Sequence, residues 1–168
     1  MKNSTIIKYG PVLAVVLLLF AIKPTPVHSQ EIQWASFEEA LSIADSTGRP
    51  ILVDVWAPWC GWCKKMEKEV YPKIQSNFER QFVFTRLNRD DNETLLSYKN
   101  QQLTALRVAQ HLNVQEVPGL VLLNSNGEYL LHLSGFREAS QLRPILSYIA
   151  SEAYQRQSFE EFLSEAGL

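Results

Sequence analysis

The chain has 168 residues, of which 46% are hydrophobic and 20% are charged, a balance typical of a folded globular protein. Its formal net charge of -2 excludes the strongly basic field that proteins use to bind nucleic acid. Two cysteines are too few for a disulfide framework or a four-cysteine zinc site, and the three histidines are scattered along the chain. We therefore expect no metal and no cofactor.

The first residues have the pattern of a secretory signal peptide. Lys2 and Lys8 are followed by a nearly unbroken apolar run over 11–22 and by a cleavage point near 27–29. The run is shorter than the roughly 20 residues of a spanning helix. We expect residues 1–29 to be a cleaved signal peptide and the protein to be periplasmic or secreted, where disulfides persist. An uncleaved anchor is the alternative, and only then would the protein contact the membrane.

Apolar periodicity and turn signals predict alternating helices and strands after this segment. In chain order we predict a helix capped by Ser36 and ended by Gly48, a strand over 51–56, helices over 60–70 and 72–78, a strand over 81–88, a mostly helical stretch over 93–112, strands over 120–123 and 128–133, and a helix over 140–152. A weak strand over 32–34 is possible. The two helices separate at Tyr71-Pro72, because proline fits the first turn of a helix but not its interior.

This order predicts an α/β fold, with a central mixed β-sheet flanked by helices on both faces. Strands that are joined through a helix would pair in parallel, and the Asn126-Gly127 turn indicates a final antiparallel hairpin. We expect residues 30–150 to form the domain and residues 151–168 to form a helical tail. Tyr154 and Phe159 in this tail would pack onto the domain or, alternatively, bind a partner.

Cys60 and Cys63 stand in a C-x-x-C spacing between a predicted buried strand and a predicted helix. Free N–H groups and the helix dipole at such an N-terminus favour a thiolate, and Lys64 and Lys65 add positive charge. Cys60 is therefore the predicted attacking thiol. Cys63, about one turn later, would be less exposed and would resolve the mixed disulfide.

Asp54 lies inside an otherwise apolar strand, which is costly unless its carboxylate has a partner or a role. On a strand its neighbours Val53 and Val55 point to the opposite face. A buried carboxylate with a raised pKa could exchange protons with Cys63, directly or through water. The alternative is a structural acid that only pairs with Arg86 or caps the helix.

Three further positions flank the predicted dithiol. Trp59 would shield one side of Cys60, and Trp62 is either a platform for substrate or simply an exposed aromatic residue. Val117-Pro118 leads into a strand, where proline is ordinary. A cis bond beside the cysteines is the alternative, and the sequence does not choose it, because only about 5–6% of X–Pro bonds are cis.

Several of these residues together resemble the thioredoxin family. They are Asp54, Trp56-Ala57, Trp59-Cys60-Gly61, Cys63-Lys64, Val117-Pro118, the Asn126-Gly127 hairpin and the Gly135 turn. The resemblance covers about residues 36–149 and implies a thioredoxin fold. It also implies a redox-active disulfide between Cys60 and Cys63, a buried acid at Asp54, and a cis Pro118 that helps hold a substrate peptide. On this basis Trp59, Trp62, Val117 and Pro118 are the expected substrate-binding residues.

The sequence departs from thioredoxin in four places. Gly61-Trp62 stands where thioredoxin has a proline between its cysteines, and Arg86 stands where thioredoxin has a lysine beside the buried acid. The active-site helix is split at Tyr71-Pro72, and a segment over 92–104 is inserted. These features look more like exported thioredoxin-related proteins and the C-terminal domain of the membrane reductase that carries electrons to the periplasm. Cys-Gly-Trp-Cys also resembles the Cys-Gly-Tyr-Cys of bacterial disulfide isomerases.

We therefore expect an exported thiol–disulfide oxidoreductase that reduces protein disulfides. Its partners would be protein disulfide substrates and a redox partner such as a membrane reductase. An isomerase or oxidase using the same dithiol is the first alternative, since the dipeptide between the cysteines tunes the redox potential. A non-enzymatic module that binds a metal or a partner is the second.

Overall fold

A computed structural model describes residues 32–167 of the chain, so the signal peptide expected over 1–29 lies outside the described residues. The elements in chain order are α1 (Phe37–Thr47), β1 (Ile51–Trp56), α2 (Gly61–Glu69), α3 (Tyr71–Phe78), β2 (Val83–Asn88), β3 (Leu95–Tyr98), β4 (Gln101–Thr104), α4 (Ala105–His111), β5 (Gly119–Leu123), β6 (Tyr129–Ser134), α5 (Ala139–Ala150) and α6 (Phe159–Ala166). Within residues 32–167, none of the helices has both the length and the apolar character needed to cross a membrane.

Four strands form the central sheet in the order β2-β1-β5-β6. β1 runs parallel to β2 and antiparallel to β5, and β5 pairs antiparallel with β6. The predicted mixed sheet is thus confirmed. Its register sets Asp54 of β1 between Arg86 of β2 and Leu120 of β5.

Two apolar cores lie on opposite faces of the sheet, because successive side chains of a strand point to opposite sides. Val53 and Val55 of β1 join a core with α1 and α4. Leu52 joins a second core with α2, α3 and α5. Helices therefore cover both faces, as predicted, and Asp54 lies on the same face as Leu52.

The helix predicted over 93–112 is wrong in its first half. β3 and β4 form an antiparallel hairpin there, and only Ala105–His111 is helical. Lys99 and Asn100 connect the two strands with φ of 50° and 60°. Positive φ at both central residues is the geometry of a type I′ hairpin turn. The leucines of this segment imitate a helical period, and the turn lacks the glycine that usually signals such a hairpin.

Two other predictions concern the limits of elements. The weak strand expected over 32–34 is reduced to a single parallel bridge between Ala35 and Thr85. The break at Tyr71-Pro72 is confirmed, since α2 ends at Glu69 and α3 begins at Tyr71 with Pro72 in its first turn.

Candidate active site

The two cysteines form a disulfide at the N-terminus of α2. Their Cα atoms are 5.3 Å apart, and the sulfurs are bonded at 2.07 Å. Cys60 is the N-cap residue of α2, and its Sγ accepts a hydrogen bond of 3.1 Å from the backbone N–H of Cys63. Both residues are buried, with relative exposures of 4% for Cys60 and 1% for Cys63. Both cysteines are thus almost completely shielded from solvent while the disulfide is closed.

The cap position of Cys60 follows from local sequence. The buried strand β1 ends at Trp56, and the backbone turns at once so that the Cys60 N–H donates to the carbonyl of Ala57. The first N–H groups of a helix have no partner within the helix. A sulfur at the cap accepts one of them, and the same donor stabilises a thiolate when the disulfide is reduced.

Asp54 is buried on β1 with both of its carboxylate oxygens occupied. Its Oδ1 accepts a hydrogen bond of 2.7 Å from the Tyr71 hydroxyl, and its Oδ2 accepts one of 3.0 Å from Arg86. Burial raises the pKa of Asp54 to about 6, although the Tyr71 bond and the Arg86 charge both oppose this. Within residues 32–167, no hydrogen bond joins this carboxylate to either sulfur. The carboxylate is therefore paired with Tyr71 as well as with Arg86.

Arg86 is itself held on several sides. Its Nη1 donates to Glu67 of α2 at 2.8 Å. Its guanidinium carbon lies 4.9 Å from the ring centroid of Trp34 and 4.5 Å from that of Trp56. Such stacking suits the planar guanidinium, which keeps its charge at all ordinary pH values. A permanent cation therefore lies beside Asp54 in a fixed geometry.

Two tryptophans next to the cysteines are exposed. Trp59 is 67% exposed, and its indole N–H donates to Asp90 in the loop after β2. Trp62 is 58% exposed, and its ring lies 5.3 Å from that of Phe136. Lys65 lies over both of these rings, at 5.3 Å from Trp62 and 5.2 Å from Phe136. The dithiol is thus flanked by an aromatic surface with a cation at its edge.

Val117 and Pro118 precede β5 on the other side of the dithiol. The peptide bond between them is cis. Val117 packs against the small cluster formed by Cys60, Cys63 and Ala57. The carbonyl of Pro118 accepts a hydrogen bond of 2.8 Å from the Gly135 N–H, which fixes this turn to the one after β6. The bond before Pro118 is therefore cis, as the resemblance implied, and it brings Val117 next to the two cysteines.

Tyr71 is the site residue that sequence reasoning missed as a contact of Asp54. The break at Tyr71-Pro72 was visible, but nothing in the sequence placed the Tyr71 hydroxyl against a strand.

As for metals, no group of three or more His, Cys, Asp or Glu side chains in the described part of the chain could hold an ion.

A disulfide closed across the first turn of a helix, directly after a central strand of a mixed sheet covered by helices, defines a thioredoxin-like thiol–disulfide oxidoreductase. A family model described as a thioredoxin-like domain matches residues 37–150, which is more than half of the chain. The chain belongs to this thioredoxin-like family.

Known relatives agree with this assignment. The chain is 36% identical over 86 residues to thioredoxin of Haemophilus influenzae, a match that covers 44% of the chain and 77% of that protein. It is 25% identical over 107 residues to the thiol:disulfide interchange protein DsbD of Pseudoalteromonas atlantica, covering 62% of the chain but 17% of that much longer protein. With the cysteine pair, these relatives identify the chain as a thiol–disulfide oxidoreductase.

Solved structures show the fold. A structure described as DsbH oxidoreductase superposes with a TM-score of 0.56 at 20% identity, covering 74% of this chain and 89% of that one. The thioredoxin fold expected from the resemblance is confirmed.

Proposed function

We propose that the protein is an exported reductant of protein disulfides that works through its Cys60-Gly61-Trp62-Cys63 dithiol. The observation that carries this proposal is the position of Cys60, whose sulfur caps α2 and accepts the Cys63 N–H. A reduced sulfur at this place is stabilised as a thiolate without any cofactor. The similarity to a thioredoxin and to a thiol:disulfide interchange protein supports the same chemistry.

The proposed reaction proceeds in two exchanges. The Cys60 thiolate attacks one sulfur of the substrate disulfide, so that a mixed disulfide forms and the first substrate thiolate leaves. Cys63 then loses its proton and attacks Cys60, which breaks the mixed disulfide and releases the second substrate thiolate. The substrate gains two electrons and two protons, and the protein ends with the Cys60–Cys63 disulfide. A donor protein with a dithiol, such as a membrane reductase, restores the reduced form.

Asp54 is the proposed proton acceptor for Cys63 in the second exchange. It lies buried on the strand that leads to the dithiol, and its pKa is raised to about 6 by that burial. A group with such a pKa is mostly ionised at neutral pH yet still basic enough to take a proton. The substrate peptide is proposed to lie along Val117-Pro118, with the Trp59 and Trp62 rings beside it.

The direction of electron flow is tested by the reduction potential of the purified protein. A reductant of protein disulfides has a potential well below about -200 mV, whereas a value well above it would favour the oxidase or isomerase alternative. Insulin reduction by the wild type, Cys60→Ser and Cys63→Ser tests the dithiol itself. We expect both variants to be inactive and only Cys63→Ser to accumulate a mixed disulfide. Full activity of Cys60→Ser would leave no role for the proposed nucleophile, and a wild type without activity would favour the non-enzymatic alternative.

Export is tested separately, because it rests on the sequence pattern over 1–29. The full chain is produced in a Gram-negative host beside a variant that lacks these residues, and both are located by cell fractionation. We expect a periplasmic product whose mass corresponds to removal of about 29 residues, and a cytoplasmic product for the shortened variant. Full-length protein in the cytoplasm would contradict the proposed export.

A further inference from the structure

Tyr71 contacts the buried acid at the point where proline splits the active-site helix. The side chain is fully buried, and its hydroxyl donates to Oδ1 of Asp54 at 2.7 Å. Its ring meets the Trp34 ring edge-on at 5.4 Å. A continuous helix through Pro72 would lose a backbone hydrogen bond and clash. The break therefore starts a new helix whose first residue points its hydroxyl at the carboxylate.

We propose that Tyr71 is a positioning residue for the resolving step, whose hydroxyl holds the Asp54 side chain and favours the ionised form that accepts the proton of Cys63. This inference rests on the proposed role of Asp54 in the exchange. It assigns a function to the Tyr71-Pro72 break, one of the departures from the thioredoxin pattern.

Three ionisable side chains act on Asp54 from the elements around it. Tyr71 comes from α3, Arg86 from β2 and Glu67 from α2, while β5 presents the uncharged Leu120 opposite. The hydrogen bond from Tyr71 and the charge of Arg86 lower the pKa of Asp54 against the larger effect of burial, and Glu67 raises it. Burial raises the pKa of Tyr71 itself well above its ordinary value. The hydroxyl thus remains a donor throughout the pH range in which Asp54 titrates.

The resolving step moves one proton and exchanges one disulfide bond for another. The thiol proton of Cys63 passes to Asp54, directly or through water, and the Cys63 sulfur attacks Cys60. The bond between Cys60 and the substrate sulfur breaks, the Cys60–Cys63 bond forms, and the substrate leaves as a thiolate that takes a proton from solvent. In this step the Cys63 sulfur is oxidised and the second substrate sulfur is reduced, while Cys60 only exchanges its disulfide partner. Only ionised Asp54 can accept the proton, so whatever favours that form extends the step to lower pH.

The test is a pH profile of the resolving step. Reduced protein is mixed in excess with a peptide disulfide, so that attack is fast, and release of the second peptide thiol is followed by stopped flow between pH 5 and pH 8.5. Tyr71→Phe keeps the ring and removes the donor. We expect the midpoint of the profile to move upward by about 0.5–1 pH unit, with a loss of rate of about two- to five-fold at pH 6 that grows to about three- to nine-fold at pH 5.

The matched control is Tyr98→Phe. Tyr98 is another buried tyrosine, 3% exposed, whose hydroxyl donates at 3.0 Å to the carbonyl of Gly127. Tyr98→Phe removes a buried hydroxyl and its hydrogen bond, as Tyr71→Phe does, and should cost stability in the same way. The Tyr98 hydroxyl, however, lies outside the hydrogen-bond network of Asp54. We expect an unchanged midpoint in Tyr98→Phe. A shift equal to that of Tyr71→Phe would overturn the inference, because it would follow from lost stability alone.

Asp54→Asn separates the inference from the function on which it rests. If Asp54→Asn leaves the rate and profile unchanged, Asp54 is not the proton acceptor, and its proposed role fails together with the inference. If Asp54→Asn alters the profile while folded Tyr71→Phe does not, only the role of Tyr71 fails. In the double variant we expect Tyr71→Phe to have no further effect on the midpoint.

A second substitution covers the case in which Tyr71→Phe does not fold. 3-Fluorotyrosine at position 71 keeps the size and the hydroxyl but is a stronger hydrogen-bond donor. We expect the midpoint to move downward, opposite in sign to the effect of phenylalanine. An unchanged midpoint with 3-fluorotyrosine overturns the inference.

Discussion

The burial of the Asp54 carboxyl comes at the expense of stability. Its carboxyl is 1% exposed, and burial raises its pKa from 3.8 to about 6 even with Tyr71 and Arg86 as partners. A buried carboxylate is tolerated when it is hydrogen-bonded and paired, but the loss of hydration is not fully recovered. The fold therefore holds a group that its own packing disfavours in the ionised form, which supports the proton role proposed for it.

This conflict predicts a pH-dependent stability with a definite sign. A carboxyl whose pKa is raised by folding binds its proton more tightly in the folded state than in the unfolded state. The stabilisation of the folded state by this proton is complete below about pH 4 and is lost as the pH rises through 6. The difference corresponds to about 3 kcal/mol. The asparagine of Asp54→Asn does not titrate. The free energy of unfolding of this variant should therefore rise, relative to that of the wild type, by up to about 3 kcal/mol between pH 4 and pH 8.

The measurement is urea unfolding of the oxidised protein, wild type beside Asp54→Asn, at pH 4.5 and pH 7.5. Exposed carboxyls that titrate in the same range are common to both proteins and cancel in the difference. An equal difference in unfolding free energy at the two pH values would mean that the pKa of Asp54 is not raised.

At the scale of elements, the sequence predicts those with a strong local signal. The apolar run of β1, the Ser36 cap of α1 and the Asn126-Gly127 turn each agree with the final structure. The hairpin of β3 and β4 could not be predicted, because its Lys99-Asn100 turn is unusual and its leucines fit a helical period. The contact between Tyr71 and Asp54 joins α3 to β1, and no pattern within either element indicates it.

The turn between β5 and β6 gives a prediction at this scale. Gly127 has a φ of 75°, and a Cβ added there would lie 2.7 Å from Cδ2 of Leu41 in α1. Leu41 can shift, but the left-handed backbone disfavours any side chain. We expect Gly127→Ala to lower the unfolding free energy by about 1–2 kcal/mol, as measured by urea unfolding.

Gly61→Ala is the matched control for Gly127→Ala. Gly61 is the first residue of α2, and an added Cβ would meet no atom within 4 Å. Alanine also favours a helix over glycine by up to about 1 kcal/mol. The control should unfold at the same urea concentration as the wild type or a slightly higher one. A loss in Gly61→Ala as large as that in Gly127→Ala would contradict the backbone argument.

At the scale of the whole molecule, the second core extends past the family domain. The thioredoxin-like match ends at residue 150, but the chain continues through α6, which has no fully buried residue. Tyr148 of α5 joins the two parts, with ring centroids 5.2 Å from Phe159 and 5.3 Å from Phe162. Its hydroxyl also donates to the carbonyl of Gln157 at 2.6 Å. The tail thus packs against α5 through Tyr148.

Removal of the tail should therefore lower stability without abolishing the fold. A chain that ends after Ala150 loses the ring contacts of Tyr148 with Tyr154, Phe159 and Phe162. Aromatic pairs contribute about 0.5–1.5 kcal/mol each beyond their buried area, so we expect a loss of about 2–4 kcal/mol. In a protein of this size that lowers Tm by roughly 5–10 °C.

Thermal unfolding of the truncated and full chains, both oxidised, gives the measurement. Phe162→Ala in the full chain should reproduce part of the fall in Tm, whereas Glu165→Ala on the same helix, an exposed position, should not. Because the active site and the tail lie on different elements, the truncated protein should keep its rate of insulin reduction. An unchanged Tm after truncation would mean that the packing of α6 on Tyr148 contributes nothing to stability. The aromatic side chains of the tail would then be free to serve the alternative role of binding a partner.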